Sequence, residues 1–264
     1  MGRSIMAGAL SRICLAGEID VKTYRVPDVA LEYEWLEGHG PVVVFCPGFA
    51  SDMGGTKAMR LWAQAKARGQ AMLRFDYSGH GASGGSFTEG CIGDWTADAT
   101  HVIETVVPGR EILLVGSSMG GWIALLLARA LGTRVTALLL IAPAPDFTEL
   151  LMKSGLSPAE HEALARDGLF LAPSQYGAPT PITAKLLTDG ADHLLLNAPI
   201  PIACPVHILH GMQDPDVPWE LSLRLAERLE TPDVRLIFVK DGDHRLSREA
   251  DLRLLEQTVS ALLG

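Results

Sequence analysis

Apolar residues along the chain follow two rhythms that take turns. Short unbroken apolar runs, such as Val42-Val43-Val44-Phe45, are bounded by turn formers, here Pro41 and Pro47. Runs of this kind read as strands buried on both faces. Others lie at 71–75, 112–115, 135–141, 206–209 and 234–239, with 135–141 the most continuous. Patterns at 21–25 and 31–36 predict two further strands that open the fold in antiparallel fashion. Between the runs, apolar residues fall at helical spacing. Residues 56–68 predict a helix closed by Gly69, and 95–107 one that stops before Pro108-Gly109. Residues 120–131 are apolar on nearly every side, as in a buried helix. Amphipathic patterns at 218–229 and 249–263 close the domain.

Strand and helix patterns in alternation predict an α/β fold, a mostly parallel sheet with helices on both faces. The rhythm breaks at 143–205. That stretch is rich in proline, poor in strand signals, and holds two or three short helical pieces, one at 158–166. It reads as an insertion between two core strands that forms a small lid. No internal repeat or low-complexity tract interrupts the rest, so 1–264 reads as a single domain carrying that lid.

Composition narrows the possible partners. With 48% hydrophobic and 20% charged residues among 264, the chain can build a core without disulfides or metals. A formal net charge of -9 repels phosphate backbones and anionic lipid, so neither nucleic acid nor a membrane surface is expected as a partner. No apolar run is long enough to span a bilayer. Cys14, Cys46, Cys91 and Cys204 show no metal-ligand or redox spacing, which points to a reduced compartment, with Cys46 as core packing. The apolar stretch 5–10 after Arg3 is short for a signal sequence and reads as a frayed leader, so cytoplasm is the expected location. The oligomeric state is left open.

The chemistry concentrates in Gly116-Ser117-Ser118-Met119-Gly120-Gly121-Trp122, a G-x-S-x-G motif with an apolar strand before it and a buried helix after it. The chain must turn sharply there, and Gly116 and Gly120 remove side chains that would clash in the turn. Ser118 then lies at a helix N-terminus, where amides and the dipole favour developing negative charge. A serine hydroxyl needs a base, and the base needs an orienting acid. In the fold that carries this elbow the partners follow in the order Ser, Asp or Glu, His. His244, in the loop after the last strand, is where the base belongs; His207 and His210 lie on or at the end of a strand. Asp214 directly follows a strand and is the expected acid, with Asp216 its main rival. Asp241 and Asp243 sit too near His244 in sequence to orient its ring, and Asp146 follows an earlier strand.

An oxyanion hole needs two backbone N–H groups. Met119 supplies one, and Phe49, in the turn after 42–45 that Gly48 permits, supplies the other. A second signature, Arg74-Phe-Asp-Tyr-Ser-Gly-His-Gly, offers His80. Its place before the nucleophile is wrong for the base, so it reads as a turn stabilised by Asp76, Tyr77 and glycines. No phosphate loop, dinucleotide fingerprint or metal motif occurs, and acyl transfer by this triad needs no cofactor.

These stretches, together with 51–57, 199–205 and 209–219, resemble the α/β-hydrolase superfamily, and within it the mitochondrial palmitoyl-protein thioesterases also described as mycophenolic acid acyl-glucuronide esterases, with their bacterial relatives. The resemblance runs from about Tyr33 to the C-terminus. It implies an eight-stranded sheet, a small lid, and a serine hydrolase acting on acyl esters or thioesters. It places the nucleophile at Ser118, the acid at Asp214, the base at His244 and the oxyanion donors at Phe49 and Met119. The expected partner is a small-molecule or acylated substrate with an apolar acyl group. Leu150, Leu151, Leu164, Leu169 and Phe170 are candidates to line its pocket. The same fold and triad also fit a C–C bond hydrolase, a perhydrolase, or a receptor-like binding module with slow turnover. Ser118 argues against dehalogenases and most epoxide hydrolases, which carry Asp at that position.

Overall fold

The computed structural model describes residues 20–26, 29–173 and 178–264, with side chains from Val29 onward. The leader and Cys14 lie outside the described residues. The chain opens with strands β1 (Asp20–Val26), β2 (Val29–Leu36) and β3 (His39–Cys46). Helix α1 (Thr56–Arg68), strand β4 (Gln70–Phe75), helix α2 (Ile92–Val106), strand β5 (Ile112–Ser117), helix α3 (Met119–Leu131) and strand β6 (Val135–Ile141) follow. The sheet resumes with β9 (Val206–Gly211), and then come α6 (Glu220–Arg228), β10 (Val234–Val239) and α7 (Glu249–Leu263). Eight strands pair in the order β1-β2-β4-β3-β5-β6-β9-β10. Only β2 runs against its neighbours, pairing antiparallel with β1 and β4, while all other pairs are parallel.

The unbroken apolar runs have a simple cause. Central strands are covered on both sides, and successive side chains point to opposite faces. Val42, Val44, Leu114, Leu138 and Leu140 enter the core under α2 and α3. Val43, Phe45, Leu113, Val115 and Leu139 enter a second core under α1 and α7. Each such fully buried side chain contributes about 1.5–3 kcal/mol. Helix α1 ends as its sequence predicts. Gly69 takes the left-handed conformation at φ 64°, and its N–H bonds back to the last turn.

Between β6 and β9, the chain leaves the sheet for residues 142–205. It forms a wide π-helical turn (Thr148–Met152), α4 (Pro158–Asp167), the antiparallel pair β7 (Leu169–Ala172) and β8 (Thr180–Thr183), and α5 (Ala184–Gly190). The β7–β8 ribbon is not evident in the sequence. Its strands have four residues each, are mostly half-exposed, and include Pro181, which a two-stranded ribbon tolerates because the missing N–H can face outward. Helix α4 carries clear local signals, a reciprocal Ser157–Glu160 capping box and Pro158 in its first turn.

Candidate active site

The turn from β5 into α3 holds Ser118 at φ 56°, ψ -119°, a conformation that non-glycine residues avoid. Three backbone bonds over-determine it. Ser118 N–H donates to Ile141 O (2.9 Å), and its carbonyl accepts from Gly121 (2.9 Å) and Ala144 (3.1 Å). Such strain persists only where the surroundings fix it. The glycines explain why the turn closes. A Cβ at Gly120 would press into the carbonyls of Cys46 and Pro47, and one at Gly116 into the Gly120 carbonyl. Ala50, Ala142, Asp146 and Leu246 are the other non-glycine residues at positive φ among those described. All lie in loops leaving the carboxyl ends of β3, β6 and β10, which converge on Ser118.

His244 sits in the loop after β10. Its Nε2 is 3.1 Å from Ser118 Oγ and its Nδ1 is 2.7 Å from Asp214 Oδ2. The loops after β9 and β10 are tied together, with Met212 N–H on Val239 O and Gln213 N–H on Gly242 O, both at 2.8 Å. The Asp214 side chain is wholly buried. Burial favours its neutral form, but donors from His210, His244 and Val217 outweigh that and hold its carboxyl well below the usual range. The bond from His244 Nδ1 goes to Asp214 and not to the rival carboxylates. Asp216 is exposed, and its N–H donates to Asp214 Oδ1 (2.8 Å). Asp241 pairs with Arg248, and Asp243 accepts from Leu246 N–H. Asp146 holds the amides of Leu195 and Leu196, tying the start of the 142–205 segment to its later part.

Phe49 and Met119 face the same space as Ser118, and neither amide has a backbone acceptor among the described residues. The second sequence signature clamps the Phe49 loop. Arg74 is buried against Glu34 (Nε to Oε2, 2.8 Å), donates to Met53 O (2.8 Å) and lies over the Trp62 ring. Asp76 accepts from Met53 N–H (2.6 Å) and Ala82 N–H (2.9 Å). His80 accepts from Ala50 N–H through Nε2 (3.3 Å) and donates through Nδ1 to Ser78 O (3.2 Å). Burial lowers its pKa, which suits a neutral ring acting as an acceptor. The Phe49 ring packs on Phe87, Trp95 and Phe147 at centroid distances of 5.0–5.9 Å. His80 is therefore part of the support behind the loop.

Ser118 and His244 open into a cleft of about 640 Å³. Its lining combines apolar residues, among them Phe49, Met119, Phe147, Leu151, Met152 and Ile182, with polar ones such as Ser51, Thr56, Lys57 and Arg245. Lys57 Nζ donates to Arg245 O (2.5 Å), and burial presses its pKa down to about 8. Of the apolar candidates read from sequence, Leu151 lines the cleft, while Leu150, Leu164, Leu169 and Phe170 do not. Phe147, Met152 and Ile182 were missed, as was His210, which bonds Asp214 from behind. Asp214, Asp216 and His244 each bring a ligand atom within 4.8 Å of the others. The Asp214 oxygens already accept two amides and two imidazoles, so their lone pairs are not directed at a cation.

A strained serine at a strand-to-helix elbow, on an eight-stranded sheet of this order, defines an α/β hydrolase. Residues 43–257 match the Alpha/beta hydrolase family, and the chain belongs to it. Among its relatives, the mitochondrial palmitoyl-protein thioesterase ABHD10 of Mus musculus is 40% identical over 236 residues, covering 88% of this chain and 78% of that protein. The crystal structure of a putative hydrolase from Agrobacterium vitis S4 superposes with a TM-score of 0.88 at 40% identity, covering 94% of this chain and 99% of that one. The alpha/beta hydrolase domain-containing protein 10 from mouse gives 0.83 at 36% identity, covering 92% and 98%.

The expectation of a cytoplasmic location is corrected by these relatives. The mouse protein and its counterparts in Pongo abelii and Homo sapiens are all named mitochondrial, so a cytoplasmic location is not supported. Cellular address is read from a targeting segment and not from the charge of a folded domain. Residues 1–19, on which the cytoplasmic reading leaned, are outside those described. No helix among the described residues is long and apolar enough to cross a membrane.

Proposed function

We propose that the protein hydrolyses acyl thioesters and oxygen esters through a covalent acyl-Ser118 intermediate. The observation that carries this reading is the single imidazole of His244 bridging Asp214 Oδ2 at 2.7 Å and Ser118 Oγ at 3.1 Å. In the first half-reaction, Ser118 Oγ attacks the acyl carbonyl while its proton passes to His244 Nε2. The amides of Phe49 and Met119 hold the oxyanion. The C–S or C–O bond then breaks, and His244 returns the proton to the departing sulfur or oxygen. Water repeats the sequence, with His244 taking its proton, and releases the carboxylic acid and free Ser118. Asp214 stays ionised throughout, keeping Nδ1–H of His244 in place and balancing the imidazolium.

The apolar residues of the lining suit an aliphatic acyl chain, and the cleft volume is in the range of small-molecule sites. The polar residues of the lining suit the leaving group. The palmitoyl-protein thioesterase name of the mouse relative supports a long-chain thioester and a mitochondrial setting. Residues 142–205 supply Phe147, Leu151, Met152 and Ile182 to the lining and act as a lid that sets acyl length.

Initial rates against acyl length, from acetyl to palmitoyl, for matched thioesters and oxygen esters test this reading, with Ser118→Ala as the blank. The expected result is turnover rising with chain length on thioesters. Preference for acetyl oxygen esters contradicts the long-chain assignment, and wild-type turnover by Ser118→Ala contradicts the mechanism.

A further inference from the structure

Behind the acid lies a polar chain that the hydrolytic steps above do not use. We infer that His210 is a positioning residue for Asp214, donating Nε2–H to the same carboxylate oxygen that accepts from His244 and so fixing that oxygen as the acceptor of the His244 proton. This inference rests on the proposed Ser118–His244–Asp214 reading.

His210 stands near the end of β9 and is wholly buried, as is Ser222 on α6. The Nε2 atom of His210 is 3.1 Å from Asp214 Oδ2 and 3.1 Å from Val217 O. Both neighbours are acceptors, so Nε2 must carry a proton. Nδ1 lies 2.7 Å from Ser222 Oγ, a hydroxyl that can donate into it. The network thus places a proton on Nε2, the atom that faces Asp214. A chain of five side chains results, Ser222–His210–Asp214–His244–Ser118. Neither Ser222 nor His210 is among the residues lining the cleft. The far serine and histidine therefore meet no substrate and do not form a second nucleophilic pair.

The geometry explains what His210 does for the acid. Asp214 Oδ1 is held by the amides of Asp216 (2.8 Å) and Val217 (2.9 Å), and Oδ2 by His244 (2.7 Å) and His210 (3.1 Å). With two donors on each oxygen, the carboxylate cannot turn without breaking bonds at both. If His210 could not donate, Oδ2 would keep only the bond to His244 in a dry site. The carboxylate could then pivot about its Oδ1 bonds, and the direction in which Oδ2 holds His244 would be less firmly fixed. A buried hydrogen bond to a charged group is worth about 1.5–3 kcal/mol, so about 10- to 100-fold in kcat is at stake.

Steady-state kinetics on the thioester that wild type turns over best test the inference, using His210→Leu, His210→Gln, Asp214→Asn, Asp214→Asn/His210→Leu and Ser222→Ala. Leucine fills the space without a donor, whereas glutamine can place an N–H near the position of Nε2. His210→Leu is expected to lower kcat about 10- to 100-fold with KM within about 2-fold, and His210→Gln to stay within about 5-fold of wild type. In the Asp214→Asn background, His210→Leu is expected to change kcat by less than about 2-fold, because both act through one oxygen. Ser222→Ala, which leaves only a small void, is expected to lower kcat about 3- to 10-fold and reads the same chain if His210→Leu does not fold. Wild-type kcat in His210→Leu overturns the inference, as does an equal loss in His210→Gln and His210→Leu that persists in the Asp214→Asn background. If His210→Leu does not fold, wild-type kcat in Ser222→Ala overturns it. The triad reading fails separately, through wild-type turnover by Ser118→Ala in the same assay.

Discussion

Replacing Asp214 with asparagine removes one charge and puts an amide where four donors converge. The carboxylate accepts Asp216 N–H and Val217 N–H on Oδ1, and His244 Nδ1 and His210 Nε2 on Oδ2. An asparagine has only one oxygen, so its NH2 must face one of those pairs. Backbone amides cannot change their protonation, but imidazoles can change tautomer. The amide oxygen therefore turns to Asp216 and Val217, and the NH2 faces the two rings. His244 must then accept at Nδ1 and carry its proton on Nε2, the atom 3.1 Å from Ser118 Oγ that has to take the serine proton. The base is present in the wrong tautomer. By analogy with the orienting acid of serine proteases, kcat should fall about 10³–10⁴-fold, which corresponds to about 4–5.5 kcal/mol of transition-state stabilisation. The assay is initial rate on a matched thioester, with the fold checked by thermal melt. A second readout follows from linkage. Because Asp214 has a depressed pKa when folded, its contribution to stability is present above the ordinary aspartate value of about 3.9 and is lost as pH falls below it. Wild type should therefore lose more stability than Asp214→Asn on acidification from pH 5 to about 3. Retention of kcat within about 10-fold in Asp214→Asn, or an equal loss in Asp216→Asn, would refute the tautomer argument.

Other substitutions probe the supports of the site. Gly120→Ala drives a methyl into the carbonyls of Cys46 and Pro47, and should cost about 3 kcal/mol or more in urea unfolding; a stable, fully active variant would show that the elbow can relax. Arg74→Met leaves Glu34 and Met53 O without their donor and should destabilise by about 3–5 kcal/mol by the same measurement, with a cost under about 1 kcal/mol counting against the clamp. His80 is held neutral by burial, so its contribution to stability is complete above about pH 6.5 and lost as pH falls through that value. The drop in melting temperature from pH 7.5 to 5.5 should thus be smaller in His80→Gln than in wild type, and equal drops would contradict a buried neutral ring.

The features that were legible in sequence are those set by local rules or by complete burial. Strand β6 matches its run from Val135 to Ile141 because both faces are covered, and Thr136 near its start is its one polar residue. Helix α1 matches 56–68 because Gly69 stops it by a backbone conformation that sequence displays directly. Ser118 was legible because the elbow imposes glycine at fixed offsets, and His244 because the base loop follows the last strand. What escaped depends on distant packing. The β7–β8 ribbon is too short and too exposed to leave a periodic trace. Leu151 and Met152 reach the cleft while Leu150 does not, since the π-helical turn at Thr148–Met152 changes the phase that ordinary helical spacing would give. His210 stands four residues before Asp214, a visible spacing, but its role depends on Ser222 across a loop and on burial of the whole chain.

The most direct test of the central claim is covalent labelling with a fluorophosphonate probe, followed by peptide mapping of the modified residue. Modification of Ser118 in folded wild type, lost in Ser118→Ala and strongly slowed in His244→Ala, is the expected result. A folded protein that leaves Ser118 unmodified, or that is labelled equally well with alanine at position 118, would contradict a nucleophilic serine at the elbow and favour a module that holds its ligand without cleaving it.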